Sequence, residues 1–211
     1  MSGLRKTPLT TEQDKTLQNH LKFIQKISIV LVKKGYRTII GGGYAVDGAL
    51  GEITRPHNDI DIQIYGKDPM TSALLESLIL DTLPSQHGSL SIEDQGRHEY
   101  WHKFFIHDIG AEVYYIQLAT QPFSDIKIVI KADGTYTEEQ EYHTKVIYLQ
   151  GIRFEAQNAL IELVDKIFKR DFRGEIKQEK HDQDIYNLRL ITDPYDVQQE
   201  LEKMKRHATH S

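Results

Sequence analysis

Ile39-Ile40-Gly41-Gly42-Gly43-Tyr44-Ala45-Val46-Asp47, followed by Asn58-Asp59-Ile60-Asp61-Ile62-Gln63-Ile64-Tyr65, is the stretch on which the fold of this 211-residue chain turns. In the second segment, apolar Ile60, Ile62 and Ile64 alternate with polar residues, the period of a strand with one buried face. The isoleucines point to a core, and Asp59, Asp61 and Gln63 to the opposite side. Carboxylates at i and i+2 of a strand stand roughly 6.5 to 7 Å apart. That spacing can share one Mg²⁺ or bracket two ions about 3.5 to 4 Å apart. An Asp-x-Asp alone also fits the solvent face of a half-exposed strand.

The first segment reads as a short apolar strand, a glycine turn and then residues compatible with a helix. Glycines let backbone N–H groups approach phosphate oxygens, and a helix N-terminus there favours negative charge. No Lys-Ser/Thr follows the glycines and no Gly-x-Gly-x-x-Gly is present, so neither common phosphate loop is encoded.

Taken together, Gly41 to Asp47, Leu50-Gly51 and Thr54-Arg55-Pro56-His57-Asn58-Asp59-Ile60-Asp61 resemble the signature of the nucleotidyltransferase superfamily. More narrowly, they are similar to the branch of the aminoglycoside 2″-nucleotidyltransferases and lincosamide nucleotidyltransferases. The pattern of that branch runs Gly-Gly-Trp-Ala-x-Asp, a short helix, then Arg-x-His-x-Asp-x-Asp, and Tyr44 stands here in place of the Trp. The resemblance implies an α/β (α+β) nucleotidyltransferase fold, a mixed twisted sheet flanked by helices with further helices at the C-terminus. Residues 1–155 would form the catalytic core, and 156–211 a helical region packed on it.

The resemblance also implies an activity: Mg²⁺-dependent transfer (one or two ions) of a nucleoside monophosphate, AMP from ATP, to a hydroxyl of a small molecule, with release of pyrophosphate. Antibiotics are the leading acceptors. Asp59 and Asp61 would hold the metal, and Gly42 and Gly43 would pack against the phosphates. Arg55 and His57 belong to the signature and read equally as phosphate contacts or as loop structure, while Asp47 reads as an anchor of the loop. Downstream, Val164-Asp165-Lys166-Ile167-Phe168-Lys169-Arg170 and Lys180-His181-Asp182-Gln183-Asp184-Ile185 resemble the lysine-bearing helix and Lys-Asp-x-x-Asp of the superfamily, with His181 at the first Asp. Lys166 and Lys180 are the candidate phosphate lysines, each also readable as a solvated helix lysine.

The third carboxylate of the superfamily acts as general base or completes the metal site, and sits on a later strand between two apolar residues. By offset to the following hairpin, Gln117 in Ile116-Gln117-Leu118 is its counterpart. A glutamine accepts a hydrogen bond but takes up no proton and brings no charge. Glu112 is acidic, yet of opposite pleat parity to Gln117, so it serves only across a bulge. This motivates a second reading, a nucleotide-binding or interaction protein of the same fold with weak transfer, such as a toxin–antitoxin partner.

Composition narrows the partners. The net charge of −5 and the lack of a Lys/Arg cluster outside Lys166 to Lys180 argue against a nucleic-acid template and for a small-molecule acceptor. Glu93, Asp94, Glu99 or Glu112 could receive a cationic acceptor such as an aminoglycoside. Tyr100, Trp101, Tyr114 and Tyr115 could wall an acceptor or adenine, or pack in the core. His98, His102 and His107 crowd a region of predicted strands, where they do not converge as a helical zinc pair would. There is no cysteine and no apolar run near 18 residues, and the N-terminus is polar, so a cytoplasmic protein without membrane contact is the expectation.

The remaining elements follow from periodicity. A helix capped by Thr10 or Thr11 runs to about Lys34, with Leu17, Leu21, Ile24, Ile27 and Leu31 facing the core. Strands are predicted over Tyr36 to Ile40, Ser89 to Ile92, Glu99 to His107, Ala111 to Ala119 and Ile126 to Ile130, with a hairpin over Lys145 to Phe154. Helices are predicted over Thr71 to Asp81 and, in three pieces, after Ala156.

Overall fold

A capping box starts the first helix. In α1 (Thr11–Lys33) the Thr10 hydroxyl accepts from the Gln13 N–H at 3.2 Å and the Gln13 side chain accepts from the Thr10 N–H at 2.9 Å. Leu17, Leu21, Ile24, Ile27 and Leu31 are buried as predicted, and His20 and Phe23 join them. The structure, a computed structural model, describes residues 3–66, 68–80, 90–98, 101–117, 127–130, 136–141, 144–171 and 179–209.

The chain continues through β1 (Arg37–Gly41), α2 (Gly42–Leu50), β2 (Ile60–Gly66), α3 (Ser72–Leu80), β3 (Ile92–His98), β4 (Trp101–Ile106) and β5 (Ala111–Gln117). A two-stranded pair, β6 (Lys127–Ile130) and β7 (Tyr136–Glu141), precedes the hairpin β8 (Thr144–Leu149) and β9 (Ile152–Gln157). Helices α4 (Ala159–Asp171), α5 (Glu179–Leu188) and α6 (Pro194–Thr209) complete the described chain. The sequence prediction differs in three places. Strand β3 begins at Ile92 rather than ending there, β7 lies in a polar segment where no strand is predicted, and β2 begins at Ile60, leaving Asp59 before it.

One sheet of seven strands organises the molecule, in the order β3-β4-β5-β2-β1-β9-β8. It is mixed: β2 runs parallel to β5 and β1 parallel to β9, while the other neighbours are antiparallel. One face carries Ile60, Ile62 and Ile64 of β2, Phe104 and Ile106 of β4, and Val113 and Tyr115 of β5, buried with the apolar sides of α1 and α3. By alternation, the opposite face receives Asp61, Gln63 and Tyr65 from β2, Glu112 and Tyr114 from β5, and Lys103 and Phe105 from β4. A second apolar cluster joins Val46 of α2 to Leu163 and Ile167 of α4 and to Ile185 and Leu188 of α5, with Val197 and Leu201 of α6 against it. Among the described residues no helix is long and apolar enough to cross a membrane.

Candidate active site

The glycine turn and the Asp-bearing strand lie against each other because β1 and β2 are antiparallel neighbours, with Gly41 directly opposite Asp61. Gly42 adopts φ +62°, where side chains are rarely tolerated, and a Cβ there would overlap the Asp61 carboxylate. A Cβ on Gly43 would likewise overlap the His57 imidazole. Both glycines therefore make room for side chains of the second motif half. The Gly42 N–H, at the N-terminus of α2, donates to Glu162 Oε1 at 2.8 Å.

The carboxylates are arranged differently from the prediction of two on one strand with Gln117 as the third group. Asp59 is exposed just ahead of β2, and Asp61 is half-buried on it. Parallel pairing sets Ile60 opposite Ala111 and Asp61 opposite Glu112, with no bulge between. Glu112 thus shares the face of Asp61, and Gln117 falls level with Gly66 at the other end of the strand, on the opposite parity. The register thus brings Glu112, rather than Gln117, level with Asp61; the side chain of Gln117 lies outside the described residues.

Asp61 feels both neighbouring acids. Burial raises the Asp61 pKa, the charges of Asp59 and Glu112 raise it further, and Lys166 and Lys169 oppose them. Glu112 goes the other way: burial would raise its pKa, but hydrogen bonds from Tyr114 and Lys103 hold it below the usual range. Tyr114 Oη donates to Glu112 Oε2 at 2.7 Å, and Lys103 Nζ stands 3.0 Å from the same oxygen. Although Asp61 feels the charges of Asp59 and Glu112, no three His, Asp or Glu groups among the described residues converge closely enough to grip one ion. The donor chemistry nevertheless fits Mg²⁺, a hard cation that takes carboxylate oxygens. A cation would also relieve the repulsion that raises Asp61.

Behind the glycine turn runs a buried chain of polar contacts. Asp47 accepts from the Thr54 N–H and hydroxyl at 3.1 and 2.7 Å and from His57 Nε2 at 2.6 Å. His57 Nδ1 meets Arg55 Nη1 at 3.0 Å; since a guanidinium only donates, Nδ1 accepts and the His57 proton sits on Nε2. Arg55 then grips Asp184 through Nε and Nη2 at 2.9 and 2.8 Å. Lys166 Nζ reaches the same carboxylate at 3.2 Å and stands 4.0 Å from Glu162, which holds Gly42. Burial would raise the Asp184 pKa, but the Arg55 and Lys166 interactions hold it below the usual range. Glu162, whose burial outweighs the opposing charge of Lys166, is pushed up to about 7.

These contacts place the remaining predicted residues. Arg55, His57 and Lys166 are buried and engaged by protein partners, and Asp47 anchors the loop, while Lys180 is exposed in the first turn of α5. Tyr44 lies against the His57 ring at 4.6 Å between centroids, and its hydroxyl meets buried His20 Nδ1 at 2.9 Å, a partner for the polar atom that a Trp would not place there. Of the candidate acceptor acids, Glu93 pairs with His107 at 3.0 Å, Asp94 with His102 at 2.5 Å, and Glu112 with Lys103. Glu99 and Tyr100 lie outside the described residues, as do the side chains of His98 and Trp101. Tyr115 is buried against Tyr36, which leaves Tyr114 on the site face. Sequence reasoning missed Glu162 and Lys103. Glu162 carries a signal, since it lies one helical turn from Lys166 on an apolar face; Lys103 shows its place only once β4 and β5 are paired.

A glycine turn packed on an Asp-bearing strand, within a mixed sheet of this order, defines a nucleotidyltransferase fold, and solved structures agree. The antibiotic-resistance factor ANT(2″)-Ia in solution matches with TM-score 0.57 at 16% identity, over 90% of this chain and 92% of that one. ANT(2″)-Ia in complex with adenylyl-2″-tobramycin matches with TM-score 0.54 at 17% identity, over 88% and 97%. The lincomycin-bound lincosamide antibiotic adenylyltransferase LnuA matches with TM-score 0.52 at 14% identity, over 88% and 100%. The resemblance to the aminoglycoside and lincosamide branch of the superfamily holds in sequence as well: the profile of the family described as aminoglycoside-2″-adenylyltransferase matches residues 23–100. No curated protein matches the chain.

Proposed function

We propose that this protein is a Mg²⁺-dependent nucleotidyltransferase that transfers AMP from ATP to a hydroxyl of a small molecule, with an aminoglycoside-type antibiotic as the leading acceptor, releasing pyrophosphate. The observation that carries the reading is the placement of Glu112 level with Asp61, beside Asp59 and the Gly42 turn. Asp59 and Asp61 hold the metal. Bound there, Mg²⁺ would offset the triphosphate charge and stabilise the charge that develops at the α-phosphorus. Glu112 takes the acceptor hydroxyl proton or completes the metal site, the part that Gln117 could not play. Arg55 and His57 hold the loop that carries Asp59, while Gly42 and Gly43 let the turn close on the strand. Lys166 supplies positive charge beside Asp61, and Lys180 is the exposed candidate for a phosphate contact.

The reading as a binding protein without transfer rests on Gln117, and the position of Glu112 level with Asp61 supports the transferase reading instead. The test is incubation with ATP and MgCl₂ against separate panels of aminoglycosides and lincosamides, with adenylylated product read by mass spectrometry and pyrophosphate assayed in parallel. Product is expected with the wild type and not with Asp61→Asn. Full turnover by Asp61→Asn would sink the metal assignment. ATP binding without pyrophosphate across both panels would favour the binding reading.

A further inference from the structure

On the β4–β5 side of Asp61 one cation sits on a proposed reacting group. Lys103 lies on β4 directly opposite Tyr114 of β5, and Glu112 is the next residue of β5 on the same face. The ammonium passes over the Tyr114 ring, 5.2 Å from its centroid, and ends 3.0 Å from Glu112 Oε2, the oxygen that also accepts the Tyr114 hydroxyl. One oxygen of Glu112 therefore carries two donors. Glu112 stands level with Asp61, yet no three carboxylate or imidazole groups among the described residues converge on a common point.

Taking Asp59 and Asp61 as the metal-bearing pair, we propose that Lys103 is a positioning residue that, together with Tyr114, holds Oε2 of Glu112 off that pair, so that this oxygen joins a bound cation only by giving up Lys103. The lone pairs that accept the ammonium and phenol protons are those a metal would take, so the two engagements exclude each other at that oxygen. A lysine suits the role: it is a compact point charge on a flexible stem, where an arginine would form a planar fork. The exposure of the two partners matters too, 24% for Lys103 and 33% for Glu112. Half-exposed pairs are weak, so a divalent cation can displace this one. No bond is made or broken; the exchange swaps one electrostatic partner of Glu112 for another.

The test is titration of the full chain with Mn²⁺ alone, followed by electron paramagnetic resonance of the free ion. Lys103→Met is expected to tighten Mn²⁺ binding about fivefold, near the upper end for a half-exposed ion pair. Lys103→Arg, which keeps the charge, should stay within about twofold of wild type, and Tyr114→Phe should give a smaller gain than Lys103→Met. The deciding arm is Lys103→Met combined with Glu112→Gln. If Lys103 acts through Glu112, the gain disappears in that background; a gain that persists undiminished reflects only the loss of a nearby positive charge and overturns the proposal. Wild-type affinity in both Lys103→Met and Tyr114→Phe also overturns it. Where wild type binds Mn²⁺ and Asp61→Asn does not, that failure belongs to Lys103 alone. Absence of binding by wild type and Lys103→Met together takes down the metal reading of Asp59 and Asp61 as well.

Discussion

The two flanks of Asp61 hold their charges by different means. Toward α4 and α5, Asp184 is fully buried and gripped bidentately by Arg55 and again by Lys166, and the chain of contacts runs on through Glu162 to the Gly42 amide. Toward β4 and β5, Glu112 is held by one flexible lysine and one phenol on half-exposed strand surface. Charges taken out of water must stay paired, so the first flank is committed to one geometry. Water screens the second, and its partners can be exchanged. The turn and strand of the proposed nucleotide half are thus preset, while the half proposed to meet the acceptor is adjustable.

The hardest blow to the rigid flank is Asp184→Asn. It leaves Arg55 and Lys166 buried beside a neutral amide, and breaking a buried pair from one side costs about 3 to 5 kcal/mol. For a chain of this size that corresponds to a fall in melting temperature of roughly 10 °C, which calorimetry would register. A fall of a degree or two would mean that water or a rearranged side chain compensates, and the contrast between the flanks would weaken accordingly.

Glu162 gives the same flank a pH signature. Its pKa is raised to about 7 in the folded state from an unfolded value of 4.5. Between those values the folded protein binds the extra proton, so stability falls as pH rises through that window and levels off above it. The span corresponds to a cost on the order of 3 kcal/mol for the ionised group. Glu162→Gln removes that cost and keeps an acceptor for the Gly42 N–H. The variant should therefore gain on wild type in melting temperature from pH 5 to pH 8. A constant offset between the two across that range would show that Glu162 does not titrate there.

What was legible in the sequence is what is written locally. The alternation of Ile60, Ile62 and Ile64 reports which way Asp61 faces, and the Gly-Gly-Gly run marks a turn whose Gly42 sits at positive φ. Thr10, one of the two caps offered by the sequence, announces the start of α1 in the same manner. What was not legible depends on pairing between distant segments. Asp59 falls outside β2 because the first strand bond on that side is the Ile60 N–H to the Gly110 carbonyl, at 3.0 Å. The choice between Glu112 and Gln117 depends on the offset of β5 against β2, which the pattern within β5 does not contain. Lys166 looks like a solvated helix lysine until α5 brings Asp184 to it. Strand β7, Tyr136 to Glu141, lacks the apolar alternation that would announce it.

The smallest expected effect lies on the adjustable flank and completes the comparison. Lys103→Met removes a charge from a pair that is a quarter to a third exposed, for which the stability cost should stay below about 1 kcal/mol. The methionine keeps most of the stem that lies along Tyr114, so packing is largely preserved. A double-mutant cycle of Lys103→Met and Glu112→Gln, read by urea denaturation, isolates the pair from its surroundings. A coupling of a few tenths of a kcal/mol would agree with an exchangeable contact. Coupling as large as the Asp184→Asn penalty would mean that Glu112 is locked as firmly as Asp184. It could then reach neither the acceptor proton nor a cation without partial unfolding of β4 and β5, and the division of the site into a preset half and an adjustable half would fail.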